Sequence, residues 1–310
     1  SDDTAPRVSC PPTNFFDEEL GEDLTLFPVD VFECTATIDV PMPTVTDECG
    51  TAWSVVTELT TLNGTVLYTI GEDELRIIPN VEIGDYLLRY YVTDDCGNAA
   101  DPISCRIRVA DQDPPTAICV SGVDISVGAF GLARLYVPSI DNGSYDDCDL
   151  DRIEIRRIFT RDPETCDTLL TPVYSDWGDY VEFNCCDAGL YVTVALRVTD
   201  LAGNADTCST EVLVRDNTLP FCTGLFPETV TCDELPDNFD PNSTDILTSI
   251  FGSPDVVDNC SAEAVELSPV VNLTECGEGT IIRRSTSIER AGNDTVNIFE
   301  HLITIDYTLG

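Results

Sequence analysis

Hydrophobic positions along this chain recur at every second residue. From Leu190 to Thr199, Leu190, Val192, Val194, Leu196 and Val198 alternate with Tyr191, Thr193, Ala195, Arg197 and Thr199. Successive side chains of a strand point to opposite faces, so this is the period of a half-buried strand. Residues 85–93 repeat it with Tyr86, Leu88, Tyr90 and Val92 on one side. A Gly-Asn pair follows each run and supplies residues that tolerate positive φ. Alternation then resumes at Ile107 and Val109, at Val212 and Val214, and in a third place at Ile303 and Ile305. These runs predict successive antiparallel strands joined by tight turns. No segment sustains a 3.6-residue period, and Gly and Pro are scattered at 19 each. An all-β chain of short strands forming antiparallel β-sandwiches follows.

The same words return along the chain. VTDDCGN (Val92 to Asn98) reappears as VTDLAGN (Val198 to Asn204) and in altered form as SIERAGN (Ser287 to Asn293). An acidic loop ending in Cys precedes each: Asp47-Glu48-Cys49, Asp146-Asp147-Cys148 and Asp258-Asn259-Cys260. VADQDPPTAIC (Val109 to Cys119) matches VRDNTLPFC (Val214 to Cys222), and residues 2–10 carry the same order of Asp, Pro and Cys. Self-similarity at this spacing predicts three tandem domains, 1–112, 113–217 and 218–310. Each is long enough to bury a core of its own.

Composition narrows the function. Against 57 acidic residues stand 15 basic ones, all Arg, for a formal charge of −42. The phosphate term would be repulsive, which argues against nucleic acid or an anionic membrane as partner. With 43% hydrophobic residues spread along its length, the chain is not a disordered acidic tail. Its 15 Cys include no C-x-x-C pair. An oxidised, extracellular protein is the expectation, a mature secreted chain or a piece of one. No run of about 18 apolar residues predicts membrane insertion.

The repeated residues resemble a known family, the hyalin-repeat and related Ig-like tandem repeats of Bacteroidota surface adhesins, including gliding-motility adhesins of the SprB type. The resemblance is carried by the D-x-C loops, the V-T-D-x-x-G-N hairpins leading to Cys105 and Cys208, and the V-x-D-x-x-x-P junctions. It covers nearly the whole chain. The third repeat departs from it, with Ser285 and Ser287 in place of larger residues and Asn297 where Cys208 stands. What the resemblance implies is Ig-like sandwiches stapled by disulfides in a cell-surface adhesin, stalk or fibre, with no catalytic residue to carry over. Its cross-bridge from acidic loop to Gly-Asn turn would join Cys49 to Cys96. Aligning the repeats suggests Cys119 with Cys208, Cys260 with Cys276, and Cys222 with Cys232. Cys185 and Cys186 point to opposite faces, so one takes Cys148 and the other Cys166. Cys10, Cys34 and Cys105 compete for one further bond. The odd cysteine is a free thiol, a residue whose partner lies elsewhere, or a bond to another subunit through Cys34 or Cys105.

Candidate chemistry is sparse. The sole histidine, His301, shares strand parity with Phe299, Ile303 and Ile305, which predicts packing rather than catalysis. No nucleophile elbow, Walker loop or zincin motif occurs, so no enzyme is expected. Calcium prefers gathered carboxylates and carbonyls. Asp94, Asp95, Asp111 and Asp113 are the candidate ligands, with a second crowd at Asp141, Asp146, Asp147, Asp149 and Asp151; the alternative in each case is a solvated acidic loop. Asp-Thr triplets at Thr4, Thr168 and Thr295 and sequons at Asn63, Asn142, Asn242, Asn259, Asn272 and Asn293 are candidate glycosylation positions. Two functions remain. One is a structural and adhesive subunit that self-associates head to tail into a fibre; the other is a module binding a glycan or protein through end loops, with Trp53, Trp177, Tyr174 and Tyr180 as its aromatic set.

Overall fold

The computed structural model describes residues 3–47, 52–224, 226–260, 262–275, 277–289 and 298–306, with only the backbone of Cys222, Ile288 and Glu289. The chain divides into two compact units. The first holds residues 1–117 with 144–152 and 198–206; the second holds 118–143, 153–197 and 207–310.

Ten strands build most of the first unit: β1 (Arg7–Ser9), β2 (Phe15–Asp17), β3 (Glu22–Pro28), β4 (Thr35–Asp39), β5 (Thr44–Thr46), β6 (Trp53–Thr61), β7 (Val66–Ile70), β8 (Ile77–Glu82), β9 (Gly84–Asp94) and β10 (Ile103–Ala110). Six form one sheet in the order β2-β3-β10-β9-β6-β7, while β4 pairs with β8 and β1 with β5. Tyr86, Leu88, Tyr90 and Val92 of β9 all turn inward. They meet Ala36 and Ile38 of β4, Ile78 and Val81 of β8, Val55 and Leu59 of β6, and Ile107 and Val109 of β10 in one core. Two sheets enclosing a shared apolar layer make a β-sandwich. The Cys10–Cys105 disulfide ties the N-terminal segment to β10.

A second set of sheets repeats the plan. Its larger sheet runs β11 (Val123–Val127), β17 (Ala205–Asp216), β16 (Tyr191–Asp200), β13 (Leu150–Arg161) and β14 (Thr168–Tyr174), and β12 (Leu132–Tyr136) pairs with β15 (Tyr180–Asn184). As β3 runs parallel to β10 in the first unit, β11 runs parallel to β17 here. Val192, Val194, Leu196 and Val198 of β16 are buried, as are Val181 and Phe183 of β15. Cys119 is bonded to Cys208 and Cys166 to Cys186.

Beyond β17, a four-stranded sheet runs β19 (Glu228–Thr231), β23 (Ile298–Asp306), β22 (Gly279–Glu289) and β21 (Ala262–Leu273), beside the pair β18 (Phe221–Thr223) and β20 (Asp255–Val257). An α-helix departs from the all-strand expectation. Thr244–Phe251 forms a helix, α1, whose N-cap Ser243 accepts the Ile246 N–H through its side chain. Eight residues are too few to display a sustained helical period in sequence. Leu247 and Phe251, one turn apart, bury themselves against Ile281, Ile303 and Ile305. The helix thus adds apolar volume to a sheet whose own inward positions include Ser285 and Ser287.

Candidate functional site

The twice-repeated T-D-x-x-G-N word is a carboxylate-capped turn. Asp94 Oδ1 accepts the N–H groups of Cys96 and Asn98 at 2.9 and 2.7 Å, and Asp94 Oδ2 accepts the Asn98 amide at 2.8 Å. Asp200 does the same for Asn204, at 2.8 Å from its N–H and 2.9 Å from its amide. Gly97 and Gly203 take φ of +89° and +93°, which only glycine adopts at no cost. Both aspartates are buried. The Asn98 amide, helped by backbone N–H groups, holds the Asp94 carboxyl below its ordinary range. Asp94, expected among the calcium ligands, therefore has both oxygens committed to its own turn, and Asp95 is exposed.

In the first unit it is the second copy of this turn that meets the acidic junction. The Asn204 amide donates to the main-chain oxygens of Asp111 and Asp113, at 3.3 and 3.4 Å. Asp111 is buried and accepts the Asp113 N–H at 3.0 Å, while the Asp113 side chain is exposed. Asp146 Oδ2 accepts the Cys148 N–H at 2.8 Å. The ligand atoms of Asp111, Asp146 and Cys148 lie within 4.8 Å of one another, the one such group of three acidic, His or Cys side chains among the described residues. Burial, then repulsion from Asp111, Asp200 and Asp147, lifts the Asp146 carboxyl above its ordinary range. Burial together with Cys34 and Asp111 pushes the Cys148 thiol up. A cavity of about 140 Å³ opens here, lined by Asp30, Asp111, Asp113, Asp146 and Asp147 with Phe32 and Tyr145.

Of the second acidic crowd, Asp146 and Asp147 reach this cavity. Asp141 instead bridges to Cys119, Asp149 gives its carbonyl to the Leu201 N–H at 3.2 Å, and Asp151 pairs with Arg152 at the surface. An oxygen-rich cluster of this kind can hold a hard cation. The thiol of Cys148 would be its poorest donor, because a protonated sulfur is a weak ligand for calcium.

Within the second unit the same junction residues recur with different chemistry. Asp216, 5% exposed, accepts the Thr218 N–H at 3.0 Å just as Asp111 accepts that of Asp113. Asp258 accepts the Cys260 N–H at 3.0 Å as Asp146 accepts that of Cys148. Asn259 donates to Gly128 O and to Asp216 Oδ1, at 3.1 and 3.2 Å. Here Cys260 is bonded to Cys185. With Cys186 bonded to Cys166, that bond corrects two expected pairings, Cys148 with one of Cys185 and Cys186, and Cys260 with Cys276. Its physical reason is that Cys186 is buried and already bonded to Cys166, whereas Cys185 is half-buried with its Sγ 3.5 Å from the Asn259 carbonyl, against the loop that carries Cys260. Within-repeat alignment cannot reveal such a bond.

Other cysteines also differ from expectation. Cys232 carries a free thiol, so the Cys222–Cys232 clip is not made; the first turn of the 3₁₀ segment 232–234 sets the Cys232 side chain beside Leu247 and its neighbours. Cys105 is bonded to Cys10, which removes it as a link to another subunit. Cys96 is an exposed free thiol, and Cys49 and Cys276 lie outside the described residues.

The aromatic set does not gather at one place. Trp53 packs on the core of the first unit. In the second unit the guanidinium groups of Arg156 and Arg197 lie over the Trp177 ring, at 4.3 and 4.5 Å, and Arg156 also covers Tyr174 at 4.5 Å. The Tyr180 ring lies 5.6 Å from that of Tyr136, tilted by 45° to it, and beneath Arg134. His301 is 2% exposed; its Nε2 donates to the Phe226 carbonyl at 2.8 Å and its ring meets the edge of Phe251. Thr4, Thr168, Asn63, Asn142, Asn242 and Asn272 are exposed, and Asn259 is half-buried with its amide committed; Thr295 and Asn293 lie outside the described residues.

No family model matches the chain, and no curated protein matches it. Among solved structures, an I-band fragment of titin is similar over 98% of this chain and 99% of its own, at 10% identity and a TM-score of 0.37. The IG1+IG2 segment of DIP-gamma covers 69% of this chain and 100% of its own, at 10% identity and a TM-score of 0.32. The human desmocollin-1 ectodomain covers 82% of this chain, which spans 55% of that ectodomain, at 13% identity and a TM-score of 0.25. No helix among the described residues is long and apolar enough to cross a membrane.

Proposed function

We propose that this chain is a non-catalytic, extracellular structural and adhesive protein, a subunit or repeat segment of a cell-surface stalk or filament. In this reading it consists of three tandem Ig-like domains, 1–112, 113–217 and 218–310, and associates head to tail. The observation that supports it most is the Cys185–Cys260 disulfide, which fastens the second repeat to the third instead of closing either one. A covalent bond across a repeat boundary resists relative motion and pulling, the demand placed on a stalk. The buried, internally bonded His301 and the turn-capping aspartates leave those groups with structural work. At −42, contact between copies has to overcome repulsion and weakens at low salt. Intact mass of the material extracted from fibres tests subunit against segment: chains of this size support a polymerising subunit, and one long polypeptide of many repeats refutes it.

A second reading has one observation in its favour. Tyr136, Tyr174 and Tyr180 are exposed, with Arg134 over Tyr180, Arg156 over Tyr174 and Tyr136 beside Tyr180, which is how a sandwich surface would present aromatic faces to a glycan or protein. Glycan-array binding that is lost in Tyr174→Ala and Tyr180→Ala would favour it.

A further inference from the structure

Cys34 and Cys148 stand as thiols in the first unit. Their surroundings match those of a bond already made elsewhere in the chain. The Cys148 loop is the repeat counterpart of the Cys260 loop: Asp146 caps the one and Asp258 the other, through N–H contacts of 2.8 and 3.0 Å. Cys185, bonded to Cys260, has its Sγ 3.5 Å from the carbonyl of Asn259, the residue before its partner. Cys34 has its Sγ 3.1 Å from the carbonyl of Asp147, the residue before Cys148. In the reverse direction Cys148 Sγ lies 3.9 Å from the carbonyl of Glu33, the residue before Cys34, and Cys34 is among the neighbours that push the Cys148 thiol up.

The scaffolds that carry these sulfurs also correspond. β4 pairs with β8 as β12 pairs with β15, with Thr35 opposite Glu82 and Leu132 opposite Asn184. Cys34 immediately precedes Thr35, and Cys185 immediately follows Asn184. Each sulfur therefore leaves the same end of its two-stranded sheet, one from either strand. Gly131, which stands before β12 as Cys34 stands before β4, shows how close the approach is. A Cβ built there would lie 2.7 Å from Cys185 Sγ and 2.9 Å from the Asn259 carbonyl.

We propose that Cys34 and Cys148 close a disulfide across the first repeat boundary, the counterpart of Cys185–Cys260 across the second. One S–S bond forms and two S–H bonds are lost. The two electrons and two protons pass by thiol–disulfide exchange to a disulfide donor, an oxidoreductase or glutathione disulfide, which leaves as two thiols. The consequence is that both boundaries are covalently fixed, and Cys34 is not available for a bond to another subunit. The bond lies within a single chain, whether or not copies assemble into fibres.

Peptide mapping of the native, secreted protein after alkylation without reductant tests it. A linked Cys34–Cys148 peptide is expected, and each single variant, Cys34→Ser or Cys148→Ser, should expose one additional alkylatable thiol, at the surviving partner. Using both variants guards against one of them failing to fold. Separate alkylation of Cys34 and Cys148 in the native protein overturns the proposal. So does their alkylation only after a chelator is added, which would mean that a metal ion and not a bond holds them.

Discussion

The Arg157 guanidinium and the Asp187 carboxylate face each other in the interior of the second unit, joined by two hydrogen bonds of 2.5 and 2.8 Å with side chains only 5% and 7% exposed. Arg157 also donates to the Glu182 carbonyl and lies over the rings of Phe159 and Phe183, while Asp187 accepts the Asn184 N–H. Removing one partner leaves an unpaired charge away from water. Asp187→Ala should cost about 3 to 5 kcal/mol of unfolding free energy, and replacing both residues with apolar ones should recover much of it. Urea titrations of the single and double variants check this; equal losses in both would show that the pair is not the source.

Acid should unfold the protein partly through Asp94. Its folded pKa lies below the unfolded value, with the Asn98 amide as the first cause. The stability it contributes is thus present above the unfolded pKa and is lost as pH falls through the folded one. Asp94→Asn should flatten the acid limb of a stability curve relative to the parent protein. An unchanged limb would remove Asp94 from the account.

Asp146 should act with the opposite sign. Burial, with Asp111, Asp200 and Asp147 nearby, holds its folded pKa above the unfolded value. The penalty on its ionised form is absent below the unfolded pKa and complete above the folded one, so stability falls as pH rises between them. Asp146→Asn should raise the melting temperature at pH 7 and leave it unchanged near pH 3. Calcium binding at the cluster would relieve the same repulsion by mass action. Millimolar calcium should then raise the melting temperature of the parent protein and not of the Asp111→Asn, Asp146→Asn double variant; equal values in calcium and in chelator would exclude calcium there.

Helix α1 should be a necessary part of its sheet's core. Leu247 is fully buried against Ile281 and Ile303, and Arg283, 2% exposed, ties the helix end to β21 through the Gly252 carbonyl at 2.9 Å and Glu266 at 2.6 Å. Leu247→Ala should cost about 2 to 5 kcal/mol, read by thermal or urea unfolding. A loss under about 1 kcal/mol would mean that the helix is only lightly docked.

Strands were legible where one face is buried and the other wet, because that asymmetry writes itself into alternate residues; β9 and β16 turn inward the residues their alternation picks out. Helix α1 was not, since its burial rests on two residues in eight. The acidic junction was half legible. Asp111 does join a cluster, but a carboxylate in a T-D-x-x-G-N word is occupied by its own turn, and the companion of Asp111 is Asp146 from a loop 35 positions further on. The Cys185–Cys260 bond was hidden because it joins non-equivalent positions of successive repeats.

Negative-stain electron microscopy of the purified protein at physiological salt, with and without millimolar calcium, tests the proposed function most directly. Head-to-tail oligomers or filaments that lengthen with protein concentration and shorten at low salt are the predicted result. Dispersed monomers under every condition, together with specific binding on a glycan array, would contradict it.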